Sequence, residues 1–261
     1  MSDIEPATPV PAATILIVRE GRAGLEVFMV KRHHQIAFVA GALVFPGGKV
    51  HAGDDEAGLN DYLDIAPDWP QERRAIPVAA VREAFEESGI LFAREEAGGM
   101  VSAERLALLR EYRARLEKGE VSLLEFLRRE RLWLACDLVV PFAHWVTPEH
   151  MPKRFDTHFL LAAAPDGHAG RHDGRESVDS VWIRPQDAIA DRKRWNVVFP
   201  TKLNLMKLSA AHSVAEALAL ARANPAVTVM PWIEQTPDGT RLRIREDAGY
   251  VQTSTLLRDA L

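Results

Sequence analysis

The chain has 261 residues, 47% of them hydrophobic and 26% charged, with a formal net charge of −5. These values suit a soluble globular protein built as one large domain, or as one domain with a substantial addition. The negative balance excludes a whole-molecule field that recruits nucleic acid or an anionic membrane, so a polyanionic substrate would need a local basic patch or a metal.

One cysteine, Cys136, permits no internal disulfide, which fits a reducing compartment. Set in an apolar run, it reads as a small core residue. The N-terminal stretch is acidic and proline-rich, without a basic segment leading into a long apolar one. The nearest apolar run, residues 12–18, is too short to span a bilayer. The last four residues, Arg258-Asp259-Ala260-Leu261, are not a peroxisomal address. A cytoplasmic location is expected.

Residues 1–11, with Pro6, Pro9 and Pro11, read as a flexible lead-in, and 12–261 as a single domain. Residues 13–19 form a buried strand, and 25–32 return as its hairpin partner. Lys31, Arg32, His33 and His34 then form a basic cluster, either a solvated strand end or a phosphate contact. Residues 43–45 make a short strand that Pro46 ends. Gly47 and Gly48 read as a loop whose bare backbone can pass close to a ligand or metal. An acidic insertion at about 55–76 is a surface excursion, partly helical around 59–63.

Residues 82–90 carry the most specific pattern. Glu83, Glu86 and Glu87 stand at i, i+3 and i+4, so their carboxylates share one helix face. Three such anions repel one another unless a cation sits among them. Hard oxygen ligands of this kind suit Mg²⁺ or Mn²⁺. Val81 and Phe85 fall on another face and can anchor the helix in a core. Gly89 is placed for a left-handed cap. Arg82 precedes Glu86 by four residues and can pair with it. On spacing alone, a solvated glutamate face is the commoner reading.

Beyond this helix, Ser102 and Ser122 are N-caps of two helices, so that 102–131 reads as an inserted helical hairpin. Arg128, Arg129 and Arg131 mark its solvated face. Strands follow at 138–146, 155–163 and 178–183. The loop between the last two holds His168 and His172, whose setting does not favour zinc. Pro185 opens a helix, Ser213-Val214-Ala215-Glu216 caps another, and 231–245 is a hairpin around Pro237-Asp238-Gly239. These last two form a C-terminal extension.

Arg82-Glu83-Ala84-Phe85-Glu86-Glu87-Ser88-Gly89-Ile90 resembles the second half of the Nudix hydrolase signature, which runs Gly, five residues, Glu, seven residues, Arg-Glu-aliphatic-x-Glu-Glu-x-Gly-aliphatic. The first half is looser: Asp54 follows Gly48 where the signature has Glu. Residues 55–81 then separate Asp54 from Arg82, 27 residues in place of seven. Residues 38–48, the string Lys153-Arg154-Phe155-Asp156-Thr157, and Phe199-Pro200-Thr201 with its leucine-rich sequel are similar to the branch of peroxisomal coenzyme A diphosphatases, which also has a long insertion in the signature.

The resemblance implies an α+β fold, an α/β/α sandwich around a mixed β-sheet, with a helical insertion. It implies a metal-dependent pyrophosphohydrolase with Glu83, Glu86, Glu87 and the Gly48 backbone as metal ligands for Mg²⁺ or Mn²⁺. Glu86, Glu87, Arg82 and Glu176 would be catalytic, Glu176 as base or further ligand ahead of Asp179. Lys31, Arg32, Lys153 and Arg154 are candidates for the 3′-phosphate of coenzyme A, and the helical insertion for an acyl chain. The partner is a small nucleoside-diphosphate-linked molecule, not nucleic acid or membrane, and a homodimer is expected from family habit. Three functions stand: a coenzyme A or acyl-CoA diphosphatase, a pyrophosphatase on ADP-ribose, nucleotide sugars or dinucleotides, or a non-catalytic nucleotide sensor. The intact carboxylates argue against the last.

Overall fold

A computed structural model describes residues 6–33, 41–66 and 69–260. His34 and residues 38–40 of the branch-like stretch lie outside the described residues.

Aliphatic residues alternating between two faces give the first hairpin, β1 (Val10–Gly21) and β2 (Gly24–Arg32). β1 starts inside the expected lead-in. The Val10 N–H donates to the Arg154 carbonyl at 2.9 Å and Val10 pairs with Phe155, so the neighbouring strand recruits Val10 and Pro11. β3 (Leu43–Val44) follows on β2. Gly47 and Gly48, expected as a loop, lie in a strand, β4 (Gly47–Lys49), paired with β1. A Cβ on Gly47 would lie 2.5 Å from the Ala13 carbonyl oxygen, so the missing side chain is what lets β4 close on β1.

The acidic insertion is partly helical, in short 3₁₀ turns, and contributes β5 (Leu63–Asp64). Then come α1 (Ala75–Glu83) and β6 (Ala93–Glu95). The region expected as a helical hairpin holds three helices, α2 (Ala103–Leu109), α3 (Glu111–Glu117) and α4 (Leu123–Glu130), because the chain breaks at Arg110. Ser102 and Ser122 cap α2 and α4, accepting the N–H groups of Arg105 at 3.2 Å and Glu125 at 3.1 Å. β7 (Leu132–Ala135), which the sequence reading missed, pairs with both β5 and β6.

The remaining elements are β8 (Val140–Val146), β9 (Phe155–Ala163), β10 (Ser177–Ile183), α5 (Pro185–Ala190), α6 (Phe199–Leu208), α7 (Val214–Ala223), β11 (Thr228–Val229), β12 (Trp232–Thr236), β13 (Gly239–Arg243) and β14 (Ser254–Leu256). The main sheet runs β10-β2-β1-β9-β8-β11. β1 is antiparallel to β2 and parallel to β9, which makes the sheet mixed.

Alternation along β1 builds two cores. Ala13, Ile15 and Ile17 pack with Val78, Val81 and Phe85 on one side. Leu16 and Val18 pack with Phe199, Leu203 and Leu208 of α6 and with Ala217 and Ala221 of α7 on the other. The result is the expected α/β/α sandwich. Burial of each large side chain contributes about 1.5–3 kcal/mol. Phe126 of α4 stacks on Phe85 with centroids 5.6 Å apart, which fastens the inserted helices to the carboxylate segment. Cys136 is fully buried, and burial pushes its thiol pKa up, as suits a core residue. The C-terminal extension joins the second core, where the Tyr250 hydroxyl accepts from the Trp145 indole at 2.9 Å and donates to Asn204 at 2.7 Å. Among the described residues no helix is long and apolar enough to cross a membrane.

Candidate active site

The carboxylate helix changes pitch at its functional end. α1 stops at Glu83, and Ala84–Ser88 form a π-helical turn. Such widened turns gather at functional sites because they re-aim side chains and free carbonyls. Gly89 caps the turn in the left-handed region, φ 69°, its N–H donating to the Phe85 carbonyl at 2.9 Å. Arg113 of α3 donates to the freed Glu86 carbonyl, with contacts of 3.1 and 3.3 Å. Nothing in its sequence surroundings marks this arginine. The insertion that carries it is far from Glu86 in the chain and meets it only in the fold.

Arg82 is buried and ties the site together. Its guanidinium donates to Asp54 through Nε at 2.8 Å and Nη2 at 3.1 Å, to Glu83 and Glu86 through Nη1 at 2.9 Å each, and to the Lys49 carbonyl at 2.9 Å. This settles what Asp54 does. It is buried, receives the forked pair from Arg82 and accepts the His51 N–H at 2.8 Å. The insertion after Asp54 leaves that pairing intact because it loops out and returns.

Glu83, Glu86 and Glu87 are 7%, 8% and 9% exposed. Glu87 accepts the Gly47 N–H at 3.1 Å. Burial raises the pKa of each carboxyl. Burial pushes Glu86 up to about 7, with Glu83 adding repulsion, and drives Glu87 well above the carboxylate range. Glu83 rises through burial, against the pull of Arg82. Three of the four buried carboxylates, those of Asp54, Glu83 and Glu86, share the guanidinium of Arg82, and Glu87 is held by the Gly47 N–H. The donor set is all oxygen and its charge is uncompensated, so it fits a hard divalent cation. Gly48 makes room for it. A Cβ there would sit 2.3 Å from Glu83 Oε1, so Gly48→Ala displaces that carboxylate. We expect this variant to fold and to lose at least ~10-fold in metal affinity and in rate, measured by calorimetric titration and turnover.

The raised carboxyls also set a pH dependence. Relative to its ordinary value of 4.5, Glu86 binds its proton more tightly in the folded chain. That contribution to stability is full below about 4.5 and is lost as the pH rises through about 7. The melting temperature of the metal-free chain is expected to fall over this interval. Added Mg²⁺ should restore it, with a gain that grows toward the upper end. A thermal shift series with and without Mg²⁺ checks both signs.

The three glutamates open on a cleft of about 450 Å³. Glu176 lines it, as do Gly47, Gly48, Arg32, Lys49 and Lys153. The Glu176 N–H is held by Asp173 at 2.9 Å, and its carboxylate is near enough to Glu83 and Glu87 to raise both pKa values. Lys31, Arg154 and Asp179 do not line the cleft. Lys31 neighbours Arg32 on β2 and points to the other face. Asp179 stands opposite Lys31 in the β10–β2 register and accepts the Ser180 N–H at 2.8 Å. Arg154 is buried and donates to the carbonyls of Thr147 at 3.0 Å and Ala7 at 2.8 Å. His51, Glu117 and Asp173 also line the cleft, and no motif signalled them. His168 and His172 do not meet on a metal: His168 bonds the Val101 carbonyl at 2.8 Å and His172 the Ser180 hydroxyl at 3.0 Å.

A mixed sheet between helical layers, with a buried Arg-Glu helix end facing two strand glycines, defines a Nudix fold. The family model for the NUDT19 Nudix domain matches residues 65–203, more than half of the chain, and the chain belongs to that branch of the Nudix family. The matched span holds the carboxylate helix and Glu176. The chain is 24% identical over 215 residues to the acyl-coenzyme A diphosphatase NUDT19 of Xenopus laevis, covering 67% of this chain and 57% of that protein. It is 29% identical over 163 residues to the putative nudix hydrolase 7 of Caenorhabditis elegans, covering 62% and 48%. The chain thus spans about half the length of these curated relatives. Among solved structures, a NUDIX hydrolase from Alicyclobacillus acidocaldarius superposes with a TM-score of 0.72 at 26% identity, over 84% of this chain and 99% of that one.

Proposed function

We propose that the chain is a diphosphatase that cleaves coenzyme A or acyl-CoA into 3′,5′-ADP and (acyl-)phosphopantetheine. The observation that carries this reading is the cleft itself: Glu83, Glu86, Glu87 and Glu176 share it with Arg32, Lys49 and Lys153. A diphosphate flanked by a further phosphate monoester asks for such a mixture of metal ligands and cations. The similarity to acyl-coenzyme A diphosphatases supports the choice of substrate.

Glu83, Glu86 and Glu87, with the Gly48 backbone beside them, would hold Mg²⁺ or Mn²⁺, which when bound would supply charge neutralisation of the diphosphate and a more acidic water. Arg82 fixes the rotamers of Glu83 and Glu86, and the Gly47 N–H fixes that of Glu87. Glu176, at the mouth of the cleft, accepts the proton of the attacking water. Arg32 and Lys153 receive phosphate oxygens, whereas Lys31 and Arg154 drop out because their side chains lie elsewhere. The inserted helices offer an acyl chain little. Tyr112 and Leu116 of α3 are buried in the core, and α3 presents Glu117 to the cleft.

The test is a substrate panel with Mg²⁺ or Mn²⁺ and identification of products. Release of 3′,5′-ADP from coenzyme A and its thioesters is expected. Cleavage of ADP-ribose with coenzyme A untouched would overturn the substrate choice.

A further inference from the structure

A second cluster of metal-ligating groups lies on the opposite face of β9. Strand alternation sends Phe155 and Thr157 toward the cleft and Asp156 and His158 away from it. The antiparallel register of β8 and β9 sets His144 directly opposite His158. The two rings stack with centroids 4.0 Å apart and planes 13° apart. His144 Nε2 contacts Asp156 Oδ1, and His158 Nε2 lies 3.9 Å from the same oxygen. One ligand atom from each residue falls within 4.8 Å of the others.

We propose that His144, Asp156 and His158 bind a transition-metal dication of the zinc class, at a site separate from the carboxylate helix. Two imidazoles and one carboxylate are a borderline donor set that suits Zn²⁺ and leaves a coordination position for water. The Mg²⁺ or Mn²⁺ expected at the all-oxygen cluster belongs to a harder class. His144 Nδ1 lies 2.8 Å from the Thr228 hydroxyl of β11. With Nδ1–H donating to that oxygen, the Nε2 lone pair faces the Asp156 carboxylate, and two acceptors in contact need a cation between them. This outer partner is of the kind that orients metal-bound histidines. The histidine side chains are 15% and 16% exposed and that of Asp156 is 38% exposed, so the carboxylate side is open to entry. Arg73 is the nearby cation that opposes binding. Coordination requires the stacked rings to splay slightly. It would tie β8 to β9 and, through Thr228, to the edge strand β11.

The experiment uses the full chain in excess Mg²⁺, so that the carboxylate cluster is occupied, and titrates Zn²⁺. We expect one tightly bound equivalent, a raised melting temperature, and shifts of the His144 and His158 side-chain nitrogens in ¹⁵N-histidine spectra of the wild-type chain. His158→Gln should weaken that binding at least ~100-fold and leave hydrolysis unchanged, and Glu87→Gln should retain the zinc. A proton in place of the metal predicts instead that zinc moves neither histidine. That result, or loss of zinc binding in Glu87→Gln alone, overturns the site. The spectra need no variant, so a misfolded substitution does not shield the proposal.

Discussion

Glu86→Gln and Glu87→Gln each slow diphosphate hydrolysis at least ~100-fold without unfolding the chain. Glutamine keeps the shape and removes the charge. In the metal-free chain that charge is a burden, since burial raises both carboxyls and Glu83 repels each of them. Melting temperatures without metal should therefore hold or rise in both variants. The stabilisation by Mg²⁺ should shrink. Turnover together with thermal shifts separates loss of a ligand from loss of fold. Near-wild-type rates in both variants would remove the helix from the mechanism.

Arg82→Met acts through stability as well as rate. The guanidinium serves Asp54, Glu83, Glu86 and the Lys49 carbonyl at once, and all three carboxylates are buried. Removing one partner of a buried ion network leaves charges unpaired, at a cost of about 3–5 kcal/mol. Denaturant unfolding should report a loss of that size, with the activity of the folded fraction also reduced because Glu83 and Glu86 lose their rotamer restraint. Excess Mg²⁺ should recover part of the stability, since the metal supplies the charge that the arginine no longer does. Wild-type stability in this variant would show the network to be slack.

The helix half of the site was legible in the sequence for a local reason. Glu83, Glu86, Glu87 and the Gly89 cap obey one helical period, and a period is visible in a linear string. β9 and the Pro185 helix start were legible on the same terms. β4 was not, because Gly47, Gly48 and Lys49 carry no alternation, and what makes them a strand is their fit against β1. The π turn at Ala84–Ser88 was hidden because the i, i+3, i+4 spacing serves either pitch. Long-range pairings were equally hidden. Asp54 meets Arg82 only after the chain has looped out and back, and Arg113 reaches Glu86 from an inserted helix. Lys153 and Arg154 are adjacent in sequence, yet one lines the cleft and the other is buried against backbone carbonyls. A basic dipeptide does not say which of its members faces a ligand, whereas the strand that carries it does.

Crystals equilibrated with Mn²⁺ test the central claim most directly, through the anomalous scattering of the ion. A peak is expected among the carboxylates of Glu83, Glu86 and Glu87, beside the Gly48 backbone. A peak elsewhere, with those three carboxylates left without a cation, would contradict it.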